Sequence, residues 1–271
     1  MDFISITFSY HLMIWLLIAS VIGIYSYKAR FLDLGGLIAA MIVGTVIFIS
    51  GGIRWIAPLA LFFLLSSVLT RLATSRQKEQ KAEHSPRTAK QVFANGGVAA
   101  LAALGQLFYP GTGMQLLFLG SLAAATSDTW STEIGSFSKS KPRMITTFEI
   151  VEQGASGGIT LTGIAGGTAG AVLLGLSGIL IFTGDSLSYY YSLGIYIVIF
   201  AGLSGNIIDS LVGALLQSRL VCAVCGTITE NNLHCDKPTN HASGIKFVDN
   251  EVVNSVCALS GGVIAYLVGQ I

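Results

Sequence analysis

Eight apolar stretches, each close to the length that crosses a bilayer, divide this chain and constrain its fold more than any motif does. They run over residues 8–27, 34–52, 55–71, 92–109, 113–129, 157–183, 193–217 and 252–270. About 20 apolar residues suffice to span a membrane. Inside the bilayer the backbone must satisfy its own hydrogen bonds, so such stretches fold as helices. The sequence therefore predicts an all-α, polytopic membrane helical bundle of about eight transmembrane helices, one transmembrane domain over residues 1–271. Only 11% of the residues are charged, against about 25% in soluble domains. The first stretch has no basic segment before it and reads as a retained helix, not a cleaved signal.

The cations test the count. With eight spans, alternate loops fall on opposite sides. Every lysine and arginine except Arg54 then falls on one side, which the positive-inside rule makes cytosolic. Both termini are expected outside. The substantial loops, 72–91, 130–156 and 218–251, all belong to the cytosolic side. Gly-Gly pairs at Gly35, Gly96 and Gly157 recur at equal spacing and hint at an internal repeat, although the units share little else.

Polar residues gather at the cytosolic helix ends. The fifth span closes with Ser127-Asp128-Thr129-Trp130-Ser131-Thr132-Glu133, and the fourth opens with Asn95. The seventh contains Asn206 and Asp209 on one helical face with Gly213 and Gln217. The eighth opens with Asp249 and Asn250. A carboxylate at a membrane boundary is costly unless paired, hydrated or bound to a cation, which makes Asp128 and Asp209 candidate site residues. Small-residue helix faces alone would be read as packing.

The tract from Lys141 and Arg143 through Gly154, Ser156, Gly157 and Thr160 leads into a helix, where backbone N–H groups and the helix dipole favour anions such as phosphate. Asp128, Asp209 and Asp249 suit Mg²⁺, which takes one or two carboxylates plus substrate phosphates. Together these describe a nucleotide–Mg²⁺ site at the cytosolic interface. No Walker loop, kinase-type glycine loop, Rossmann fingerprint or nucleic-acid motif is present. Cys222, Cys225, His234 and Cys235 supply soft ligands for a structural Zn²⁺. Their spacing is shorter than in zinc fingers, and an adjacent His and Cys are awkward for one tetrahedral centre.

Several of these residues resemble a family of membrane proteins that includes plant phytyl-phosphate kinase and its microbial relatives. The matching segments are Ala94-Asn95-Gly96-Gly97, Ser127-Asp128-Thr129-Trp130 with Glu133 and Gly135, Asp209-Ser210-Leu211 with Gly213, Ala214 and Gln217, and Asp249-Asn250 with Val253-Asn254. They mark a catalytic core over roughly residues 90–256. The likeness extends more distantly to CTP-dependent phytol and dolichol kinases and to CDP-diacylglycerol synthases. It implies CTP-dependent phosphorylation of an isoprenyl monophosphate to the diphosphate. On that reading Asp128 and Asp209 hold Mg²⁺, with Glu133 and Asp249 beside them in the catalytic set. Lys141, Arg143 and the run 154–160 hold phosphates, and Asn95, Asn206 and Asn250 position them. A membrane transporter of a small or phosphorylated solute is the rival class, because glycine-rich, interrupted helices also fit one.

Overall fold

The computed structural model describes residues 3–77, 86–183, 189–229 and 233–271. Lys78, Lys81 and most of the outward loop 184–192 fall outside these residues. Eight helices appear in the expected order: α1 (Phe3–Lys28), α2 (Leu34–Gly51), α3 (Ile53–Gln77), α4 (Ala89–Gly105), α5 (Thr112–Gly135), α6 (Leu161–Thr183), α7 (Tyr189–Leu215) and α8 (Asn250–Val268). Six of them, α1, α2, α3, α6, α7 and α8, are long and apolar enough to cross a membrane.

Of the other two, α5 lies in the interior of the bundle, and α4 packs on α2, α5 and α8 while leaving Phe93, Leu101 and Leu104 exposed. Helix α4 has 17 residues, about 26 Å at 1.5 Å per residue, a little short of the bilayer core. Helix α5 is the hub and packs against α3, α4, α6, α7 and α8. Surrounded by protein, it can carry hydroxyls that lipid would penalise. Ser121 donates to the Phe118 carbonyl at 2.8 Å, Thr126 to Leu122 at 2.6 Å and Thr129 to Ala125 at 2.8 Å. Such bonds to the preceding turn satisfy buried hydroxyls without a second helix.

The bundle is apolar at one end and polar at the other. At the apolar end Trp55 of α3 packs on Phe118 of α5 and Phe182 of α6, with ring centroids 4.7 Å and 5.2 Å away. At the polar end the even-numbered helices begin and the odd-numbered ones finish. The turn after α1 and the segment before α4 meet there, with Arg87 N–H donating to the Phe31 carbonyl at 3.0 Å and Asp33 N–H to the Arg87 carbonyl at 3.1 Å.

Two loops at this end are more ordered than the sequence implied. A hairpin pairs β1 (Arg143–Met144) with β2 (Gly158–Ile159). The residues 157–160, read as the start of the sixth span, belong to this hairpin and its exit, and α6 starts at Leu161. The loop between α7 and α8 folds as a four-stranded sheet of β3 (Arg219–Cys222), β4 (Ile228–Thr229), β5 (Leu233–His234) and β6 (Lys237–Ser243), in the order β4-β3-β6-β5.

The alternation of helices gives a direct expectation. A protease site inserted at Lys139 and one at Tyr109 should be cut from opposite faces of sealed vesicles. Cutting from the same face would break the alternation and, with it, the gathering of the polar ends on one side.

Candidate active site

At the polar end the helices part around a cavity of about 660 Å³. Thr70 and Thr74 of α3, Arg87 just before α4, Gln91 and Asn95 of α4, and Asn250 and Asn254 of α8 line it. So do Asp128, Ser131 and Glu133 of α5, Asn206 and Asp209 of α7, and the whole run 154–160. Helices α4, α6 and α8 all begin at its rim, so their positive dipole ends converge on the polar end of the bundle, a setting that favours anions.

Asn206 sets the register of the two carboxylates that matter most. Its amide donates to the Ser127 hydroxyl at 3.2 Å and to the Ser131 hydroxyl at 2.8 Å, pinning α7 to α5. Ser131 in turn donates to the Gly163 carbonyl of α6 at 2.9 Å. Gly167 of α6 makes this close approach feasible, since a Cβ there would sit 2.5 Å from the Ser131 hydroxyl and 2.8 Å from the Asn206 amide. Asp209 lies one turn beyond Asn206 and Asp128 directly follows Ser127. The pins therefore bring the two carboxyls face to face, close enough to act as hydrogen-bond partners. Two residues remote in sequence are thus joined in one site.

The charge balance of the cavity is lopsided. Among the described residues that line it, Asp128, Asp209 and Glu133 are opposed by Arg87 alone. With one proton held between Asp128 and Asp209, the described lining keeps one negative charge in excess, and a second appears when that proton leaves. Arg87 faces Glu133, and burial lowers the guanidinium from its ordinary range while the Glu133 charge partly restores it. Oδ1 of Asp209 is buried without a hydrogen-bond partner. A carboxylate oxygen left unpaired beside a second carboxylate is expensive in a low dielectric. A divalent cation held between Asp128 and Asp209 would remove both the repulsion and the orphaned acceptor, so the residues present fit Mg²⁺.

The run 154–160 forms one wall. Gly157, at φ +80°, packs so tightly on α7 that a Cβ would meet that of Ala214 at 2.5 Å. The neighbouring Ser156 hydroxyl donates to Oε1 of Gln217 at the foot of α7. Thr160 caps α6, accepting from Gly163 N–H at 2.9 Å. Gly154, Ser156, Gly157 and Thr160 therefore all reach the cavity, as do Asn95, Asn206 and Asn250.

Other expected site residues stand elsewhere. Lys141 points outward and pairs with Glu152 at 3.3 Å. The Arg143 guanidinium folds onto the Phe148 carbonyl at 2.8 Å. Asp249 caps α8 by accepting from Val252 N–H at 3.0 Å and lies 3.8 Å from Lys90. None of the three lines the cavity. Cys222, Cys225, His234 and Cys235 come together in the β3–β6 sheet. Cys257 is buried within α8.

Arg87, Thr70 and Thr74 were not singled out from the sequence. Arg87 sits immediately before the Thr88 cap of α4, whose side chain and Gln91 form a reciprocal capping box. That box was legible as a helix start. The pairing of 86–88 with the α1–α2 turn, which aims Arg87 inward, was not. A second cavity, about 480 Å³ and almost wholly apolar, lies between α1 and α3, lined among others by Val21, Phe31, Leu64, Val68 and Arg71. Phe63 borders it and also carries the Arg87 guanidinium 5.8 Å from its ring centroid.

Comparison with known proteins agrees with an integral membrane bundle. Residues 17–262 match the family model described as integral membrane protein DUF92. The chain is 34% identical over 258 residues to the uncharacterized membrane protein MJ0933 of Methanocaldococcus jannaschii, covering 95% of this chain and 94% of that one. It is 32% identical to protein PGR of Arabidopsis thaliana, covering 92% and 93% of the two chains. It is 25% identical to the chloroplastic protein VTE6 of Arabidopsis thaliana, covering 88% and 66%. No solved structure matches the chain.

Proposed function

The chain belongs to the integral membrane protein DUF92 family, and from that premise we propose that it is a membrane-embedded kinase, passing the γ-phosphoryl group of CTP to an isoprenyl monophosphate. The observation that carries this reading is the pair Asp128–Asp209, two neighbouring carboxyls in a cavity at the helix ends, one of them with a buried oxygen that has no partner. The sequence resemblance to the phytyl-phosphate kinase family, through Ser127-Asp128-Thr129-Trp130 and Asp209-Ser210-Leu211, supports the choice of substrate and nucleotide.

Phosphoryl transfer asks a protein mainly for positioning and charge neutralisation. Asp128 and Asp209 would hold Mg²⁺, which would supply charge neutralisation for the nucleotide phosphates. Arg87, the cation among the described lining residues, would meet the transferring group, with the Glu133 charge near it. The amides of Asn95, Asn250 and Asn254 donate to phosphate oxygens, and the run 154–160 closes over them. Asn206 acts through Asp209 as a positioning residue. An oxygen of the isoprenyl phosphate attacks the γ-phosphorus, the bond to the β-phosphate oxygen breaks, and CDP leaves. The apolar groove between α1 and α3 suits the isoprenyl chain, because Phe63 joins its wall to Arg87 at the cavity. Lys141, Arg143 and Asp249 fall outside this set. The cavity would open to the cytosol, on the side that carries the cationic loops.

Purified protein in lipid nanodiscs, given Mg²⁺, CTP and a short isoprenyl monophosphate, should form the isoprenyl diphosphate in proportion to enzyme. Nucleotide-independent movement of the phosphate across sealed vesicles, with no diphosphate made, would replace this reading with a transporter.

A further inference from the structure

The sheet between α7 and α8 has almost nothing apolar inside it. Val224, Ile228, Leu233 and Phe247 are exposed, and among the described residues of the sheet segment the buried side chains are Cys222 and Val248. Two of its four strands are two residues long. So few ladder bonds and so little burial do not hold a small fold, and units of this size usually depend on a disulfide or a metal. The four cysteines of the chain are free thiols.

We propose that Cys222, Cys225, His234 and Cys235 bind one Zn²⁺ in a closed tetrahedral site that holds this sheet together. Their ligand atoms all lie within 4.8 Å of one another. Cys225 Sγ is 3.8 Å from Cys235 Sγ and 3.5 Å from His234 Nδ1, and Cys235 Sγ is 3.3 Å from the same nitrogen. Zn–S and Zn–N bonds of about 2.3 Å and 2.0–2.1 Å at tetrahedral angles require edges of roughly 3.8 Å between sulfurs and roughly 3.6 Å from sulfur to nitrogen. The measured separations fit that polyhedron.

Backbone geometry explains how neighbouring residues can share one ion. Successive strand side chains point to opposite faces, which made adjacent His234 and Cys235 look incompatible. Cys235 is not in a strand. It and Asp236 form the two-residue turn of the β5–β6 hairpin, with φ of +53° and +58°. Positive φ at both positions is the signature of the type I′ turn, normally filled by Asn or Gly. A cysteine kept there in that strained conformation implies a constraint from its surroundings. Its thiol turns back onto the His234 side. The other half is a Cys-x-x-Cys knuckle, in which Val224 N–H points to Cys222 Sγ at 3.4 Å and Gly226 N–H to the Cys222 carbonyl at 3.0 Å.

Four protein ligands leave no open position, so the ion is structural. Its influence reaches the cavity wall. Ser218 N–H donates to the Val248 carbonyl at 2.8 Å and Ile245 N–H to Leu216 at 2.9 Å. These bonds fasten the sheet to the foot of α7, where Gln217 receives Ser156.

Elemental analysis of the full-length protein, purified in detergent without chelator, should find one zinc per chain. Co²⁺ exchange should give tetrahedral d–d bands and thiolate-to-metal charge transfer. Cys225→Ser together with Cys235→Ser should lose the metal, and trypsin should then cut at Lys237 and Lys246. Cys222 is buried, so its replacement is avoided. Cys235→His should keep one metal, with charge transfer falling by about one third as three thiolates become two. A monodisperse protein that holds no zinc and takes up no Co²⁺, or one that isolates with a Cys225–Cys235 disulfide, would overturn the assignment.

Discussion

Asp128→Asn and Asp209→Asn should each remove isoprenyl-phosphate kinase activity by several orders of magnitude while leaving the protein as stable as before, or more so. Asparagine keeps the size and much of the hydrogen bonding of aspartate but has no charge with which to hold a cation. The two carboxyls face one another, and Oδ1 of Asp209 has no partner. Without a cation the two carboxyls stay together only by holding a proton between them, so replacing one with a neutral amide removes that cost. Groups that work as one unit do not lose activity additively. The double variant should therefore be little slower than the worse single one. Thermal unfolding at high and low Mg²⁺ gives an independent check. Bound Mg²⁺ should raise Tm in the native protein and not in either variant. If both variants unfolded at markedly lower temperature, the pair would be a structural hydrogen bond and the site would lose its metal.

Arg87 should give the second-largest effect. Among the described residues it is the single cation lining a cavity that also carries three acidic side chains, and phosphoryl-transfer enzymes commonly lose about 10³-fold or more when such an arginine is removed. Arg87→Lys keeps a charge but not the planar fork that meets two phosphate oxygens at once. It should lower kcat far more than it raises KM. Arg87→Gln also leaves Glu133 without a neighbouring positive charge, and losing the partner of a buried charge costs up to about 3–5 kcal/mol when the two are in direct contact. The cost here should be below that ceiling, since both side chains border an open cavity. Adding Glu133→Gln should restore stability but not turnover. Recovery of both together would reduce Arg87 to a fold-stabilising residue.

The parts of this architecture that the sequence revealed are those for which the bilayer leaves few options. Apolar stretches must be helices, cations sort to one side, and a carboxylate such as Asp209 inside an apolar span demands a partner. Those constraints pointed to the Asp128 stretch, Asn95, Asn206 and the run 154–160, all of which line the cavity. What stayed hidden depends on how loops dock. Arg87 reaches the cavity because its segment hydrogen-bonds to the turn after α1, a contact between residues with no shared pattern. Lys141 and Arg143 look like phosphate ligands by proximity in the chain, yet the β1–β2 hairpin turns them away. Asp249 illustrates a different difficulty, since a carboxylate before a helix serves equally well as a cap or as a ligand, and here it caps α8. The β3–β6 sheet has strands too short and too polar to show an alternating pattern, so its order was visible only through the cysteines and histidine.

The central claim is that the cavity transfers a terminal phosphoryl group to a lipid phosphate, and the fate of a labelled nucleotide tests it most directly. Reconstituted protein should be incubated with Mg²⁺, a short isoprenyl monophosphate and CTP labelled in separate experiments at the γ- or the α-phosphorus. The account predicts that γ-label appears in an isoprenyl diphosphate, that α-label remains in CDP, and that Asp209→Asn yields neither product. Incorporation of α-label into lipid would make the protein a cytidylyl transferase, and no lipid label from either position would contradict the kinase reading altogether.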